Sequence, residues 1–217
     1  MVGTIVLYRI NTKMNRQITL IRHAKVDSDN SQKIDALSLQ KWVEEYDIAP
    51  IDTESLPSRE TIVLVQNANV VLTSTLRRAN DSAKVLGVDV YEKNELFNEA
   101  DIPKVNIPYL KLKPKRWLVI LRLMLLLGIG KKDASLKASK AQAKKAAQRL
   151  LEFSAEHEHV VLVGHGGMNW LIQQVLVKKG WILEGKGSHA NWGATVLTTI
   201  TQAHSYTPHS KETQALA

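Results

Sequence analysis

The stretch HVVLVGHGG, residues 159–167, decides the fold. Its apolar run Val160–Val163 shows no polar alternation, so it reads as a strand covered on both faces, and it breaks at a Gly-His-Gly-Gly turn. A helix over Ala134–Phe153, rich in Ala, Lys and Gln, precedes it, and a second helix over Met168–Lys178 follows. Helix, buried strand, helix is the pattern of an α/β chain.

The same reading extends outward. Gln17–Arg22 (QITLIR) and Val70–Leu72 are further buried strands, and Thr195–Ile200 is a late one. Ser38 caps a helix carrying Leu39, Trp42, Val43 and Tyr46 at helical spacing before Pro50, and Leu76–Leu86 is a helix stopped by Gly87. Thr61–Val65 fits strand or helix. The expectation is a single α/β domain: a mostly parallel central sheet with helices on both faces, spanning 14–203. An N-terminal extension (1–13) precedes it and a polar C-terminal tail (204–217) follows.

The chain has 217 residues and no cysteine, which excludes disulfides, thiolate metal sites and a cysteine nucleophile. Its net charge of +8 is uneven. Lys104–Arg149 holds thirteen of the 29 basic residues and one of the 21 acids, hence +12, while the remaining 16 basic and 20 acidic residues give −4. The N-terminal apolar run is too short for a signal-peptide core, and Trp117–Gly128 is far short of the roughly 20 residues that span a bilayer. A cytoplasmic protein is the expectation.

In parallel sheets ligands sit beyond the carboxyl ends of the strands. Those ends carry Arg22-His23, Thr73-Ser74 followed by Arg77-Arg78, and Gly164-His165-Gly166-Gly167. Arginine forks suit phosphate oxygens, a neutral imidazole is a nucleophile or donor, and helix N-termini add backbone N–H groups. The constellation reads as an anion pocket with a nucleophile.

LIRHAK, VLTSTLRRANDSA and VVLVGHGG, in that order, resemble the three signatures of the histidine phosphatase superfamily, in its phosphoglycerate mutase-like branch. The resemblance runs from about Gln17 to Ile200. It implies a phosphoglycerate mutase-like fold and a metal-independent phosphoric monoester hydrolase with no cofactor, acting through a phosphohistidine on His23. The superfamily pattern S-x-L-x-R-A falls on Ser74–Ala79 and selects Arg78 over Arg77. It implies that Arg22, Arg78 and His165 bind the phosphoryl oxygens, with His165 also counted as catalytic. Glu99 would be the general acid and base, with Glu95 and Asp101 as rival carboxylates.

Departures from the usual pattern bear on the substrate. Ala24 replaces the common glycine, Lys25 follows it, and no basic set matching a mutase's substrate clamp is evident. A phosphatase is therefore favoured over a cofactor-dependent mutase-type phosphotransferase. A non-enzymatic phospho-ligand or membrane-surface binding protein is the third reading. Lys25 and Asn191 are candidate substrate contacts, and the expected partner is a phosphorylated small molecule.

The basic and apolar insert, about 102–132, reads in two ways. An all-round apolar Trp117–Ile129 helix would be buried beneath the Ala134 helix. Alternatively it is a lid or an anionic-membrane contact through the 104–132 segment, with Lys111, Lys113, Lys115 and Arg116 on headgroups and Trp117 at the interface. The presumed phosphate pocket draws only on Arg22, Arg78 and two histidines, all outside the charged segment. Nucleic-acid binding is disfavoured, since only Trp117 and Tyr109 offer stacking and no reading motif occurs. Gly180–Gly187 resembles a P-loop but has Gly187 where Ser/Thr must hold magnesium, and His157 and His159 lack a third metal ligand.

Overall fold

The computed structural model describes residues 14–201 except 104, 106, 108 and 130–135. The proposed extension and tail, Lys104, Lys131, Lys132 and the first two residues of the Ala134 helix lie outside the described residues.

Six strands, β1 (Met14–Arg22), β2 (Val70–Thr73), β3 (Glu92–Lys93), β4 (His159–Gly164), β5 (Ile182–Glu184) and β6 (Ala194–Thr201), form one sheet in the order β3-β2-β4-β1-β6-β5. The first four of that order are mutually parallel, and β6 runs antiparallel to both β1 and β5. The helices are α1 (Ala36–Ile48), α2 (Arg59–Gln66), α3 (Arg77–Val85), α4 (Pro114–Leu126), α5 (Leu136–Glu156) and α6 (Gly166–Lys178). The expected α/β sheet, mostly parallel with helices on both faces, is what the chain forms.

The apolar runs are unalternated because both faces are covered. Ile18, Leu20, Val70, Leu72, Val160 and Leu162 pack with α5 and α6, while Ile21, Val71, Val161 and Val163 face Val65 of α2 and Leu86 beyond α3. Successive residues of one strand thus enter different cores.

Several expectations change. Thr61–Val65 is helical, because Ser58 accepts a hydrogen bond from the Thr61 N–H and starts α2. α1 begins earlier than predicted: Asp35, not Ser38, is its cap, and its carboxylate accepts from the Ser38 N–H.

The insert helix α4 is neither all-round buried nor beneath α5. Trp117, Leu121 and Leu125 are buried; Trp117 and Leu121 cluster with Ala36 and Leu39 of α1, while Val119, Leu123 and Leu127 are exposed. Trp117, assigned to a membrane interface on one reading, is fully buried and donates its indole N–H to the Ile34 carbonyl at 2.8 Å. No helix among the described residues is long and apolar enough to cross a membrane.

Candidate active site

Strand register assembles the site. Arg22 lies opposite Gly164, and Thr73 opposite Val163, so the next residues, His23, His165 and Ser74, emerge side by side at one sheet edge. The His23 and His165 ring centroids are 5.1 Å apart. Both side chains are buried.

His23 is fixed in one tautomer. Its Nδ1 lies 2.6 Å from the Ala24 carbonyl, which only accepts, so Nδ1 carries the proton and Nε2 keeps its lone pair. Burial, and then the Arg78 charge, holds its pKa down to about 3. Burial and Arg78 also hold His165 well below its usual value. Both rings are neutral near pH 7.

The loop carrying His23 is held from three sides. Ser82 accepts from the Ala24 N–H at 2.8 Å, Asn191 donates to the His23 carbonyl at 2.9 Å, and Asn169 donates to the Ile21 carbonyl at 3.0 Å. The Arg22 N–H donates to the Gly193 carbonyl, and the Trp192 N–H donates back to the Arg22 carbonyl. Trp192 takes a left-handed φ of +62°, a strained setting for a bulky residue that this bracket maintains.

Around His23 stand cationic and neutral donors. Arg78, only 4% exposed, donates to Asp47 at 2.7 Å and lies over the Tyr46 ring, 5.2 Å from its centroid. Arg22 donates one guanidinium N–H to the His189 carbonyl at 2.9 Å. His165 pairs through Nε2 with the Ser74 hydroxyl at 2.7 Å. Each keeps one buried nitrogen without a protein partner: Arg22 Nε, Arg78 Nε and His165 Nδ1. Leaving such groups unpaired costs about 1–3 kcal/mol each, which a ligand accepting from them would offset.

Glu99 sits at the N-terminus of α6. Its carboxylate accepts from the Met168 N–H at 2.9 Å and the Gly167 N–H at 3.3 Å, and pairs with Arg122 at 3.1 Å. Gly167 is what permits this approach, because a Cβ there would lie 2.7 Å from Glu99 Oε1. Gly167→Ala is expected to push the carboxylate off its amide donors and lower kcat by ~10²-fold, the scale of a misplacement of about 1 Å. Wild-type turnover of that variant would remove Glu99 from the chemistry.

A cavity of about 340 Å³ opens beside Arg22. One wall is Trp42 and Tyr46 of α1, stacked with centroids 5.1 Å apart. The facing wall is α4, which contributes Lys115, Leu118, Val119 and Arg122. The charged segment thus reaches a cavity that shares Arg22 with the expected phosphate-binding set. Lys115 and Arg122 come from a helix whose sequence shows no pocket motif. Lys25 and Asn191 also line the cavity, although Lys25 is engaged with Asp52 at 2.5 Å. Arg77 is outside this group, paired with Asp81 at 3.1 Å on the surface of α3. Of the rival carboxylates, Glu95 lies in the single 3₁₀ turn Glu95–Phe97, and only Glu99 lies against α6.

The remaining basic charge faces elsewhere. Lys140 and Lys144 of α5 and Lys178 and Lys179 at the end of α6 rim a groove of about 700 Å³ away from His23. Among the described residues no cluster of three or more His, Cys, Asp or Glu is arranged to hold a metal ion. His159 instead hydrogen-bonds Gln17 and Thr19.

Acid is expected to destabilise the fold. The unfolded chain protonates His23 and His165 near pH 6.5, whereas the native state keeps both neutral to far lower pH. Their contribution is complete above pH 6.5 and is lost as pH falls below it, by about 1.4 kcal/mol per pH unit for each histidine. Denaturant midpoints measured between pH 7 and pH 4 check this, and a flat profile would contradict it.

No protein-family model and no curated protein matches the chain. Solved structures do. A mycobacterial glucosyl-3-phosphoglycerate phosphatase superposes with a TM-score of 0.51 at 16% identity, over 85% of this chain and 90% of that one. A protein described as mycobacterial hydrolase 2 superposes with a TM-score of 0.53 at 18% identity, over 91% of this chain and 86% of that one. The chain thus has the phosphoglycerate mutase-like α/β fold that its three motifs led us to expect.

Proposed function

We propose that the protein is a phosphomonoester hydrolase working through a phosphohistidine intermediate on His23, without a metal ion or cofactor. The observation that carries this reading is the set of three buried, unpartnered nitrogens, Arg22 Nε, Arg78 Nε and His165 Nδ1, around a histidine whose other nitrogen is tied to the backbone. The resemblance of the fold to a glucosyl-3-phosphoglycerate phosphatase agrees with a phosphorylated substrate.

In the first step His23 Nε2 attacks phosphorus and the bond to the leaving oxygen breaks, while Glu99, entering this step as the neutral acid and released from its ion pair with Arg122, gives that oxygen a proton. Arg22, Arg78 and His165 hold the nonbridging oxygens and offset their charge. In the second step Glu99 takes a proton from water, the water oxygen bonds to phosphorus, and the P–N bond breaks. His23 is regenerated and phosphate is released. Glu99→Gln, which keeps the shape and removes the acid, is expected to slow aryl phosphate hydrolysis by about 10²-fold or more. A steady-state comparison checks it, and unchanged turnover would assign the proton transfer to another group.

Lys115 and Arg122 favour testing a second reading. Cations beyond those that hold one phosphoryl group suit a mutase-type phosphotransferase that handles a bisphosphate. An assay of 3-phosphoglycerate with the bisphosphate separates the two: interconversion of the 2- and 3-isomers identifies a mutase, and release of phosphate alone a phosphatase.

A further inference from the structure

We propose that the substrate is an amphiphile, a phosphomonoester whose leaving group carries a hydrocarbon chain held along an exposed apolar stripe of α4. This rests on the phosphatase reading above and names its substrate class.

The helix has three faces. Trp117, Leu121 and Leu125 are buried, and Lys115, Leu118, Val119 and Arg122 line the cavity. The third face carries Val119, Leu123 and Leu127 at every fourth position, exposed by 57%, 54% and 75%, and Ile129 beyond them is 51% exposed. A surface helix ordinarily turns polar residues to solvent on that face. Scattered exposed apolar residues such as Leu37 and Leu56 require no explanation, but a row at helical spacing does.

Val119 belongs to both the cavity and the stripe, so the apolar surface runs unbroken out of the pocket. From Val119 to Leu127 it is about 12 Å long at 1.5 Å per residue. Lys113, Lys115 and Arg116 cluster at the N-terminal end of the helix, exposed and without an ion pair among the described residues. Charge lies at one end and at the mouth, and apolar surface extends away from it. That order matches an anionic head with an apolar tail. A second copy docked symmetrically on the stripe would cover Val119 at the cavity mouth, which disfavours it as the occupant.

The test is a series of n-alkyl phosphates from ethyl to dodecyl, each below its micelle-forming concentration. We expect kcat/KM to rise about twofold per methylene before it levels off, half in energy of the roughly fourfold that full burial of a CH₂ gives. Leu123→Gln combined with Leu127→Gln lies outside the cavity. This variant is expected to flatten the series while ethyl phosphate turnover stays within twofold of wild type. Phosphatidic acid in zwitterionic vesicles, compared with soluble lysophosphatidic acid, then distinguishes a bilayer-borne from a dissolved source of the chain. A flat wild-type series, or a slope kept by the double variant, overturns the proposal while leaving phosphatase activity intact. Failure to hydrolyse even ethyl phosphate or an aryl phosphate overturns the phosphatase reading itself.

Discussion

His23→Ala is expected to reduce hydrolysis of an aryl phosphate to the background rate, the largest effect of any single substitution. The ring is neutral, its Nδ1–H is committed to the Ala24 carbonyl, and its free Nε2 stands among Arg22, Arg78 and His165. Because the side chain is buried, alanine also leaves a small cavity. His23→Gln keeps a polar side chain of similar reach and is expected to be equally inactive, which separates chemistry from packing. Turnover within tenfold of wild type in both variants would exclude His23 as the nucleophile.

Arg78→Gln is expected to lower kcat/KM by about 10²-fold to 10³-fold, the scale of removing one preorganised donor from a developing anionic transition state. Its guanidinium is aligned by Asp47 and by the face of Tyr46 and leaves Nε unpartnered. The loss in stability is expected to be small, because Asp47 is 42% exposed and water takes over its solvation. The neighbouring Arg77→Gln is the control. Its side chain is 54% exposed and paired with Asp81, so activity is expected to stay within twofold. Equal losses at the two positions would mean that the geometry has selected the wrong arginine.

The sheet was legible because doubly covered strands appear as unbroken apolar runs, and Val160–Val163 and Val70–Leu72 are such runs. His23, Ser74 and His165 come together for the same reason, each being the residue next to a strand end. The α2 segment was not legible: its β-branched run suits a strand, and the helix is set by the Ser58 cap and by packing of Val65 under the sheet. The α4 helix misled for a different reason. A helix apolar all round is normally buried, but here one face is buried, one lines the cavity and one meets solvent, and only tertiary contacts separate them.

Arg122 and Lys115 were invisible to motif reading because they reach the pocket from a helix distant in sequence from all three motifs. Asp47, Tyr46 and Ser82 support the site in the same way, by contacts across the fold. The spacing of Gly166-Gly167 was read as a turn. Its sharper meaning is steric, since the Glu99 carboxylate and the Arg22 side chain occupy the space that side chains there would fill.

In the proposed mechanism the phosphoryl group passes through His23. Rapid acid-free quenching during turnover of an aryl phosphate, followed by peptide mapping at alkaline pH, tests it directly. One acid-labile phosphate is expected on the peptide containing Ile21–Lys25, localised to His23, and none in His23→Ala. Turnover with no phosphorylated peptide, or with the phosphate on any other residue, would contradict it.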